Sequence, residues 1–306
     1  LIQILEISQK KLLWSLKRML KRRSSLKIIN KISIFKNLIK KLHNQKSKKP
    51  IILIPTMGAL HQGHLSLIEK GKKIGGTIIV SIFINPIQFN DKNDLKNYPI
   101  TLQEDISKLS ELKVDYLLIP KIEDIFEKNF QTTVIVRDLQ KSLCGMYRPG
   151  HFNGVTTIVI KLFNIVKPDI AIFGEKDLQQ LVIIKRMVKD LNLDIKIIEG
   201  KTIRESSGLA LSSRNKLLTN INYYKASKIY SGLKMTKKQF LGGRNKSVYL
   251  KNNLIRFFKS EGLKNIEYVQ IVNKETLTEN AVAKKGDIIA VALKLGKIRL
   301  IDNLKL

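Results

Sequence analysis

Apolar segments of strand length alternate with helical patterns from Ile28 onward, and this alternation constrains the fold more than any other feature of the chain. Parallel strands that are covered by helices on both faces read as short, continuous apolar runs. We therefore predict an α/β fold built on a Rossmann-like, doubly wound parallel sheet. The predicted strands are Ile51–Ile54, Thr77–Ile84, Asp115–Ile119, Thr133–Val136, Asp169–Phe173 and Asp194–Ile198.

The pattern changes after about Lys201. An irregular loop is followed by two helical stretches, near Tyr223–Lys234 and Ser247–Gly262, and by three short strands. We predict that this part forms a smaller C-terminal α+β domain, which acts as a lid over a bound ligand. The predicted organisation is a basic N-terminal extension over residues 1–25, a Rossmann-like domain over 26–201 and the α+β domain over 202–306.

The chain of 306 residues carries 56 Lys and Arg against 25 Asp and Glu, which gives a formal net charge of +31 at pH 7. Such a charge favours nucleic acid or an anionic membrane as a partner. The lysines are scattered through every helix and loop, however, and no aromatic residues interleave with a basic stripe. We therefore predict no nucleic-acid partner and no stable membrane association. The single cysteine, Cys144, and the lack of an apolar run of about 20 residues predict a soluble, cytoplasmic protein.

The first 25 residues differ from the rest of the chain. Glu6 is their only acid, and Lys17–Arg23 forms a basic cluster. Two interpretations stay open, a basic amphipathic targeting segment and an artefact of the translated start. We predict no catalytic role for this extension.

The run Pro-Thr-Met-Gly-Ala-Leu-His-Gln-Gly-His at 55–64 directly follows the first predicted strand. Residues 60–73 are predicted to form a helix, so that His61 and His64 lie in its first turn. Since residues three apart share a helix face, both imidazoles can point at one anion, and free backbone N–H groups and the helix dipole strengthen the attraction. The run therefore predicts a site for the phosphates of a nucleotide. A zinc site is disfavoured, because only His43, His151 and Cys144 remain as further soft ligands.

Several other polar groups follow predicted strands, where open parallel sheets bind their ligands. Lys176, in a Gly-Glu-Lys-Asp turn, and the loop Ser212–Arg214 supply donors and positive charge that suit a transferring phosphate. Gln88 and Gln180 have the chemistry to hold the hydroxyls and carboxylate of a small acid. We expect one cleft to collect these side chains.

Two consecutive acids, Glu104 and Asp105, begin a helix after Tyr98-Pro99. Carboxylates of this kind can hold Mg²⁺ on nucleotide phosphates, although two acids in a first turn are also a common solvated start of a helix. Both interpretations stay open.

These motifs, in this order, resemble those of the pantothenate synthetases, the pantoate–β-alanine ligases of the HIGH-motif nucleotidyltransferase superfamily. The resemblance extends from about Leu26 to Leu306. It is carried by residues 55–64, 81–89, 98–99, 148–152, 173–177 with Gln179 and Gln180, 208–215, and the C-terminal run Arg299-Leu300-Ile301-Asp302-Asn303.

The resemblance implies a homodimeric enzyme that uses ATP and Mg²⁺ to condense (R)-pantoate with β-alanine. In the first step the carboxylate of pantoate attacks the α-phosphorus of ATP, which gives pantoyl adenylate and pyrophosphate. In the second step the amine of β-alanine attacks the acyl carbon and releases AMP.

The resemblance also implies roles for single residues. His64, His61 and Lys176 would be catalytic, Gln88 and Gln180 would bind pantoate, Gln88 would also lie near β-alanine, and Glu104 and Asp105 would be associated with Mg²⁺. Lys108 stands where some members use a glutamine, which puts a third protein ligand in doubt. The implied ATP-binding residues are Met57, Gly58, Ala59, Leu60, His61, Gln62, Gly63, His64, Gly174, Glu175, Lys176, Asp177, Ile203, Leu211, Ser212, Ser213 and Arg214.

Two alternatives remain at this point. The His-x-Gly-His motif alone accounts only for the triphosphate, so another HIGH-motif nucleotidyltransferase with a different acid acceptor would also fit it. A basic nucleic-acid-binding protein on a nucleotide-binding fold is the rival from a different class of function.

Overall fold

The structure is a computed structural model that describes residues 26–45 and 49–306. The basic extension predicted for residues 1–25 lies outside the described residues. The chain forms two compact units. Unit 1 comprises the described residues up to Val134, Asn153–Phe173 and Asn192–Gly200, and unit 2 comprises Ile135–Phe152, Gly174–Leu191 and Lys201–Leu306.

Helices and strands alternate along most of the chain. In chain order they are β1 Lys27–Ile29, α1 Ile32–His43, β2 Ile51–Thr56, α2 Gln62–Ile74, β3 Thr77–Ile82, α3 Lys92–Lys96, α4 Leu102–Glu111, β4 Tyr116–Leu118, α5 Ile122–Ile125, α6 Leu143–Tyr147, α7 His151–Val166, β5 Ile170–Gly174, α8 Leu178–Asp190, β6 Lys196–Gly200, α9 Asn220–Leu241, α10 Ser247–Ser260, β7 Asn265–Val272, β8 Ile288–Leu295 and β9 Ile298–Lys305.

The first six strands form a parallel sheet in the order β1-β4-β3-β2-β5-β6, which confirms the predicted fold class. The chain runs outward from β2 through β3 to β4 and then returns to the other side of β2 to place β5. The strand order therefore reverses at β2, and ligands of open α/β sheets bind at such a switch point. The loop that follows β2 leads directly to the two histidines.

Two aspartates fix the starts of neighbouring strands. The carboxylate of Asp169, just before β5, accepts a hydrogen bond from the backbone N–H of Ile51 at 2.7 Å. That of Asp115, just before β4, accepts one from the N–H of Ile78 at 2.8 Å. Apolar side chains on these strands and their helices then form the core of unit 1, with Ile52, Ile54, Ile68, Val80 and Leu109 almost fully buried.

One predicted strand is wrong and one strand was not predicted. Residues Thr133–Val136 form no strand, because the backbone of Val134 is paired with side chains: its N–H donates to Thr157 Oγ1 and its carbonyl accepts from Thr156 Oγ1. The strand that was not predicted is β1, a three-residue strand that pairs with β4 at the edge of the sheet. A segment this short carries too little periodicity to be recognised from sequence.

Unit 2 contains a separate antiparallel sheet in the order β7-β8-β9. Its buried face packs with α9 and α10 around Leu233, Leu254, Phe258, Ile271 and Val291. The smaller α+β part of the prediction is therefore present; α9 is longer than the sequence pattern indicated, and α10 ends two residues earlier. Within residues 26–45 and 49–306, no helix combines the length and the hydrophobicity that crossing a bilayer requires.

The two compact units differ in part from the two predicted domains. Residue 201 does begin the last segment of unit 2, but unit 2 also takes in 135–152 and 174–191. The division into residues 26–201 and 202–306 stays a prediction, because a grouping by contacts does not test which part folds by itself.

Candidate active site

The loop after β2 ends at His61, which caps the N-terminus of α2. The Nδ1 atom of His61 accepts a hydrogen bond from the N–H of Gly63 at 3.1 Å, and Nδ1 of His64 accepts one from the N–H of His61 at 3.4 Å. The helix therefore starts at Gln62, two residues later than predicted. The N–H of Gly63 is thus one of the backbone N–H groups at the helix start that the histidine cap uses.

The same contacts fix the protons of the two rings. A neutral imidazole whose Nδ1 accepts a hydrogen bond carries its proton on Nε2, so both rings are Nε2–H donors. The ring centroids of His61 and His64 are 4.1 Å apart, and both side chains are partly exposed. The two rings lie side by side at the N-cap and at the third helical position, and the expectation that both act on one ligand stays a prediction.

The buried carboxylate of Asp105 holds the loop that leads to these histidines. One of its oxygens accepts from the N–H of Ala59 at 2.9 Å, and the other accepts from the N–H of Leu60 at 2.7 Å and from the hydroxyl of Thr101 at 3.2 Å. Lys108, one turn further along α4, donates to the carbonyl of Leu60 at 2.7 Å. Two side chains of α4 thus fix the peptide units on both sides of Leu60.

The loop needs this support because its backbone is unusual. Gly58 and Ala59 both have positive φ, at 81° and 51°, and a residue with a Cβ rarely adopts this region. A Cβ at Gly58 would also lie 3.2 Å from the Asp105 carboxylate. The sequence Gly-Ala followed by an anchored Leu60 is therefore what allows the chain to turn sharply from β2 into α2.

Burial raises the pKa of Asp105 above its ordinary value of 3.8, while the hydrogen bonds from Leu60 and Ala59 act in the opposite direction. A raised folded-state pKa means that the folded protein prefers the protonated carboxyl more than the unfolded chain does. The resulting contribution to stability is fully present below pH 3.8 and is lost as the pH rises through the folded-state pKa. Above its folded-state pKa the desolvated carboxylate therefore lowers the stability of the folded protein, while its hydrogen bonds order the loop.

The geometry of Glu104 and Asp105 does not fit a Mg²⁺ site. Both oxygens of Asp105 face hydrogen-bond donors, and a cation, Lys108, lies beside the pair. The Glu104 side chain is 61% exposed and lies 3.9 Å from the same lysine. In the part of the chain that the structure describes, no group of three or more His, Cys, Asp or Glu side chains is placed to hold a metal ion. The surroundings of Asp105 are those of a group that fixes a loop, since its neighbours are donors and a positive charge.

Gln88 is fixed in a buried cluster at the end of β3. Its Oε1 accepts from Asn85 Nδ2 at 2.9 Å, and its Nε2 donates to the sulfur of Met57 at 3.1 Å. Asn85 also donates to the carbonyl of Gly154 at 3.0 Å. A Cβ at Gly154 would lie 2.7 Å from the carbonyl of Ile87, so only glycine lets α7 approach this turn.

In unit 2, the Gly-Glu-Lys-Asp segment forms a short 3₁₀ turn, Glu175–Asp177, directly before α8. The Lys176 side chain is 19% exposed, and its Nζ lies 3.8 Å from Asp177. Lys176 and Gln180 line the same pocket of this unit, together with Arg148, His151 and Arg299. Asp177 lines this pocket as well, so the pocket brings three of the predicted site residues together.

The remaining predicted residues lie at the two ends of a turn that joins Ile203 to Leu211, and directly after it. The N–H of Leu211 donates to the carbonyl of Ile203, and the N–H of Glu205 donates to that of Leu209. Ser212 follows, and its hydroxyl accepts from the N–H of Arg214 at 3.3 Å. Ile203 and Ser212–Arg214 are thus neighbours despite their separation in sequence.

The predicted site residues fall into two sets. Unit 1 holds 57–64, Gln88, Glu104 and Asp105, and unit 2 holds 174–177, Gln180, Ile203 and 211–214. Within each unit the residues lie on loops, on 3₁₀ turns and in the first turns of helices. The expectation that one cleft collects both sets stays a prediction.

Comparison with known proteins decides the family. Residues 27–305 match the family model described as pantoate-beta-alanine ligase. The chain belongs to the pantoate–β-alanine ligase family. Relatives called pantothenate synthetase include one from Thermosipho africanus, 42% identical over 91% of this chain and 99% of its own length, and one from Thermodesulfovibrio yellowstonii, 47% identical over 84% and 91%.

Solved structures of the family agree with this fold. Pantothenate synthetase from Thermus thermophilus has a TM-score of 0.85 at 33% identity, over 91% of this chain and 99% of that one. Pantoate-beta-alanine ligase from Francisella tularensis, complexed with beta-gamma ATP and beta-alanine, has a TM-score of 0.77 at 38% identity, over 92% and 97%. The resemblance drawn from sequence motifs is confirmed, and the match supports it over a different HIGH-motif nucleotidyltransferase.

Three polar residues near the predicted positions had no role in the sequence analysis. Asn85 is 1% exposed, and its Oδ1 is buried without a hydrogen-bond partner, which leaves an acceptor for a ligand. Arg148 and His151 line the pocket of unit 2 and lie 3.3 Å apart. All three belong to motifs that carry the family resemblance, which is the signal by which they could have been found.

We expect Asp105→Asn to destabilise the protein and to disturb the histidine loop. The amide retains one acceptor oxygen but turns an NH₂ group toward the other backbone donor, which costs about 1–3 kcal/mol of unfolding free energy. Urea unfolding measures this loss. The difference in unfolding free energy between wild type and variant should grow as the pH is lowered from about 7 toward 3.8, because only wild type gains stability from protonation of Asp105. Turnover should fall as well.

The neighbouring Glu104→Gln is the matched control. It changes an exposed acid of the same helix turn, so stability, turnover and the Mg²⁺ requirement should stay close to wild type. If both variants raised the Mg²⁺ concentration needed for activity while stability was unchanged, the two acids would be metal ligands and the loop-anchoring role of Asp105 would be wrong.

Proposed function

We propose that this chain catalyses the ATP-dependent condensation of (R)-pantoate with β-alanine to pantothenate, with release of AMP and pyrophosphate. The observation that carries the proposal is the family match over residues 27–305. The ligand-bound Francisella tularensis relative, which holds beta-gamma ATP and beta-alanine, supports ATP as the co-substrate.

In the first step, the carboxylate of pantoate attacks the α-phosphorus of ATP, and negative charge develops on the departing pyrophosphate. Fixed donors that are aimed at this charge lower the barrier without having to reorganise. We assign this role to the Nε2–H groups of His61 and His64, to Lys176, and to the loop Ser212–Arg214. The capping contacts of the two rings support the assignment, because they hold both imidazoles as Nε2 donors.

We assign Gln88 and Gln180 to pantoate, with Gln88 also near β-alanine. Gln88 suits this role because Asn85 and Met57 fix its amide before a ligand arrives, so little rotamer freedom is lost on binding. The unpartnered Oδ1 of Asn85 adds an acceptor for a hydroxyl or ammonium group beside it.

In the second step, the amine of β-alanine attacks the acyl carbon of pantoyl adenylate, and AMP leaves. Activation by AMP replaces a poor leaving group with a good one, so no acyl-enzyme is needed. A site that closes over the adenylate would protect it from water, which is the part that we propose for the C-terminal domain, residues 202–306.

The other expectations remain proposals. The single cysteine of the chain suits a reducing compartment, which supports a cytoplasmic location. A homodimer is proposed from the family resemblance alone. Mg²⁺ is given no protein ligand here, because the surroundings of Glu104 and Asp105 do not fit one.

Purified protein should release AMP from ATP only when both pantoate and β-alanine are supplied. Coupled detection of AMP, with each substrate omitted in turn, measures this dependence. An enzyme that accepts another acid with higher kcat/KM than pantoate, or that releases no AMP with the three substrates together, would rule out the proposed reaction.

His64→Ala should lower turnover by about 100-fold to 1,000-fold, with a smaller effect on ATP affinity, since one donor to the transition state is lost. His43→Ala is the control, because His43 ends α1 and its Nε2 lies 3.2 Å from the carbonyl of Lys167, away from the loop after β2. Steady-state kinetics and ATP titration separate the two effects. Near-wild-type turnover of a folded His64→Ala would assign His64 to the cap of α2 alone.

A further inference from the structure

The C-terminal run Arg299–Asn303 carries part of the family resemblance, and no role has been assigned to it above. Its last two residues, Asp302 and Asn303, lie on β9 beside β8 of the small sheet. The Asp302 side chain is 3% exposed. A buried acid next to an amide is costly unless both are fully hydrogen-bonded, so their partners show what the pair holds.

Asp302 holds the turn that joins Ile203 to Leu211. Its two oxygens accept from Arg204 Nη1 at 2.6 Å and Nη2 at 2.8 Å, which is a bidentate ion pair. The same guanidinium donates to the carbonyl of Gly208 at 3.2 Å and lies 3.7 Å from the centroid of the Tyr230 ring. Arg204, at the base of the turn, therefore contacts Gly208 near its tip, and Asp302 orients this arginine.

Asn303 holds the other predicted ATP-binding segment of unit 2. Its Nδ2 donates to the carbonyls of Glu175 and of Lys176, both at 3.0 Å. The two hydrogens of the amide are thus used on two consecutive peptide units of the 3₁₀ turn. A carboxylate of the same shape could donate neither bond and would repel both carbonyls.

The two anchors are joined to each other. Arg204 Nη2 donates to the carbonyl of Asn303 at 3.3 Å, and the N–H of Asn303 donates to Asp302 Oδ1 at 2.7 Å. All of these residues belong to unit 2. Two consecutive residues of β9 therefore connect two segments that are distant in the chain and that are both assigned to ATP.

We propose that Asp302 and Asn303 are positioning residues that set Lys176 relative to Ser212–Arg214, so that both segments meet one triphosphate. The inference rests on the proposed function. It predicts weaker ATP binding and a slower first step, in which pyrophosphate leaves, because both depend on the two segments meeting the triphosphate, whereas the second step does not. A merely structural role of β9 would instead lower stability and affect both steps alike.

The test is Asn303→Asp, an isosteric change that removes both donated bonds. Pantoate-dependent exchange of pyrophosphate into ATP measures the first step, and conversion of separately prepared pantoyl adenylate with β-alanine measures the second. The first step should slow by about 100-fold, the cost of an ångström-scale misplacement, while the second changes by less than about 3-fold. ATP affinity from calorimetry should fall as well.

Asn273→Asp is the matched control. Asn273 lies in the same unit, and its side-chain oxygen accepts hydrogen bonds from the N–H groups of Glu275 and Thr276, so the aspartate keeps these contacts and adds the same charge. It should resemble wild type in every assay. Arg204→Lys is the second positioning variant, because it keeps the charge but loses the bidentate geometry, and it should show the same selective loss of the first step.

Three outcomes would overturn the inference: an unchanged first step in Asn303→Asp, equal losses in both steps with a lowered unfolding free energy, or an equal loss in Asn273→Asp. Failure of the proposed function is separate, since wild type would then show no pantoate-dependent exchange. In that case the ATP affinities of the variants test the positioning role. The role is wrong if Asn303→Asp binds ATP as tightly as Asn273→Asp.

Discussion

The hydrogen bonds from Ala59 and Leu60 to the buried carboxylate of Asp105 are the contacts on which the histidine site depends. The loop after β2 must turn through two residues with positive φ before α2 begins, and such a backbone persists only where its surroundings hold it. Asp105 satisfies two consecutive N–H groups at this bend. His61 and His64 follow directly, so the position of their rings is set by that bend and by the capping contacts of α2.

Side chains also hold backbone in unit 2, there by donating to carbonyls. The partly buried Asn303 holds the 3₁₀ turn with Lys176, and the buried Gln179 holds the carbonyls of Leu139 and Ser142. Side-chain amides can fix irregular backbone because one NH₂ group serves two acceptors. The 3₁₀ turn with Lys176 is therefore held by contacts within the protein, and donors fixed in this way favour transition-state stabilisation.

Much of the parallel sheet and the placement of the two histidines could be predicted from sequence, because the relevant signals are local. The strands at 51–56 and 77–82 are short apolar runs, and the i, i+3 spacing of His61 and His64 places both at one helix start. The role of Asp105 could not be predicted, since its partners lie 46 and 45 residues away and two acids at a helix start are typical of a solvated first turn. The strand predicted at Thr133–Val136 was wrong for a related reason. Its apolar pattern is typical of a strand, but threonine side chains of α7 form the hydrogen bonds of the Val134 backbone.

Amide hydrogen exchange at Ala59 and Leu60 tests most directly whether Asp105 orders the histidine loop. In wild type both amides should exchange slowly, like the amides in the middle of α2, because they are buried and donate to a carboxylate. In Asp105→Asn their exchange should accelerate by about 10-fold or more, the equivalent of one lost hydrogen bond, while Glu104→Gln leaves it unchanged. Equal rates at these two amides in wild type and Asp105→Asn would contradict the account.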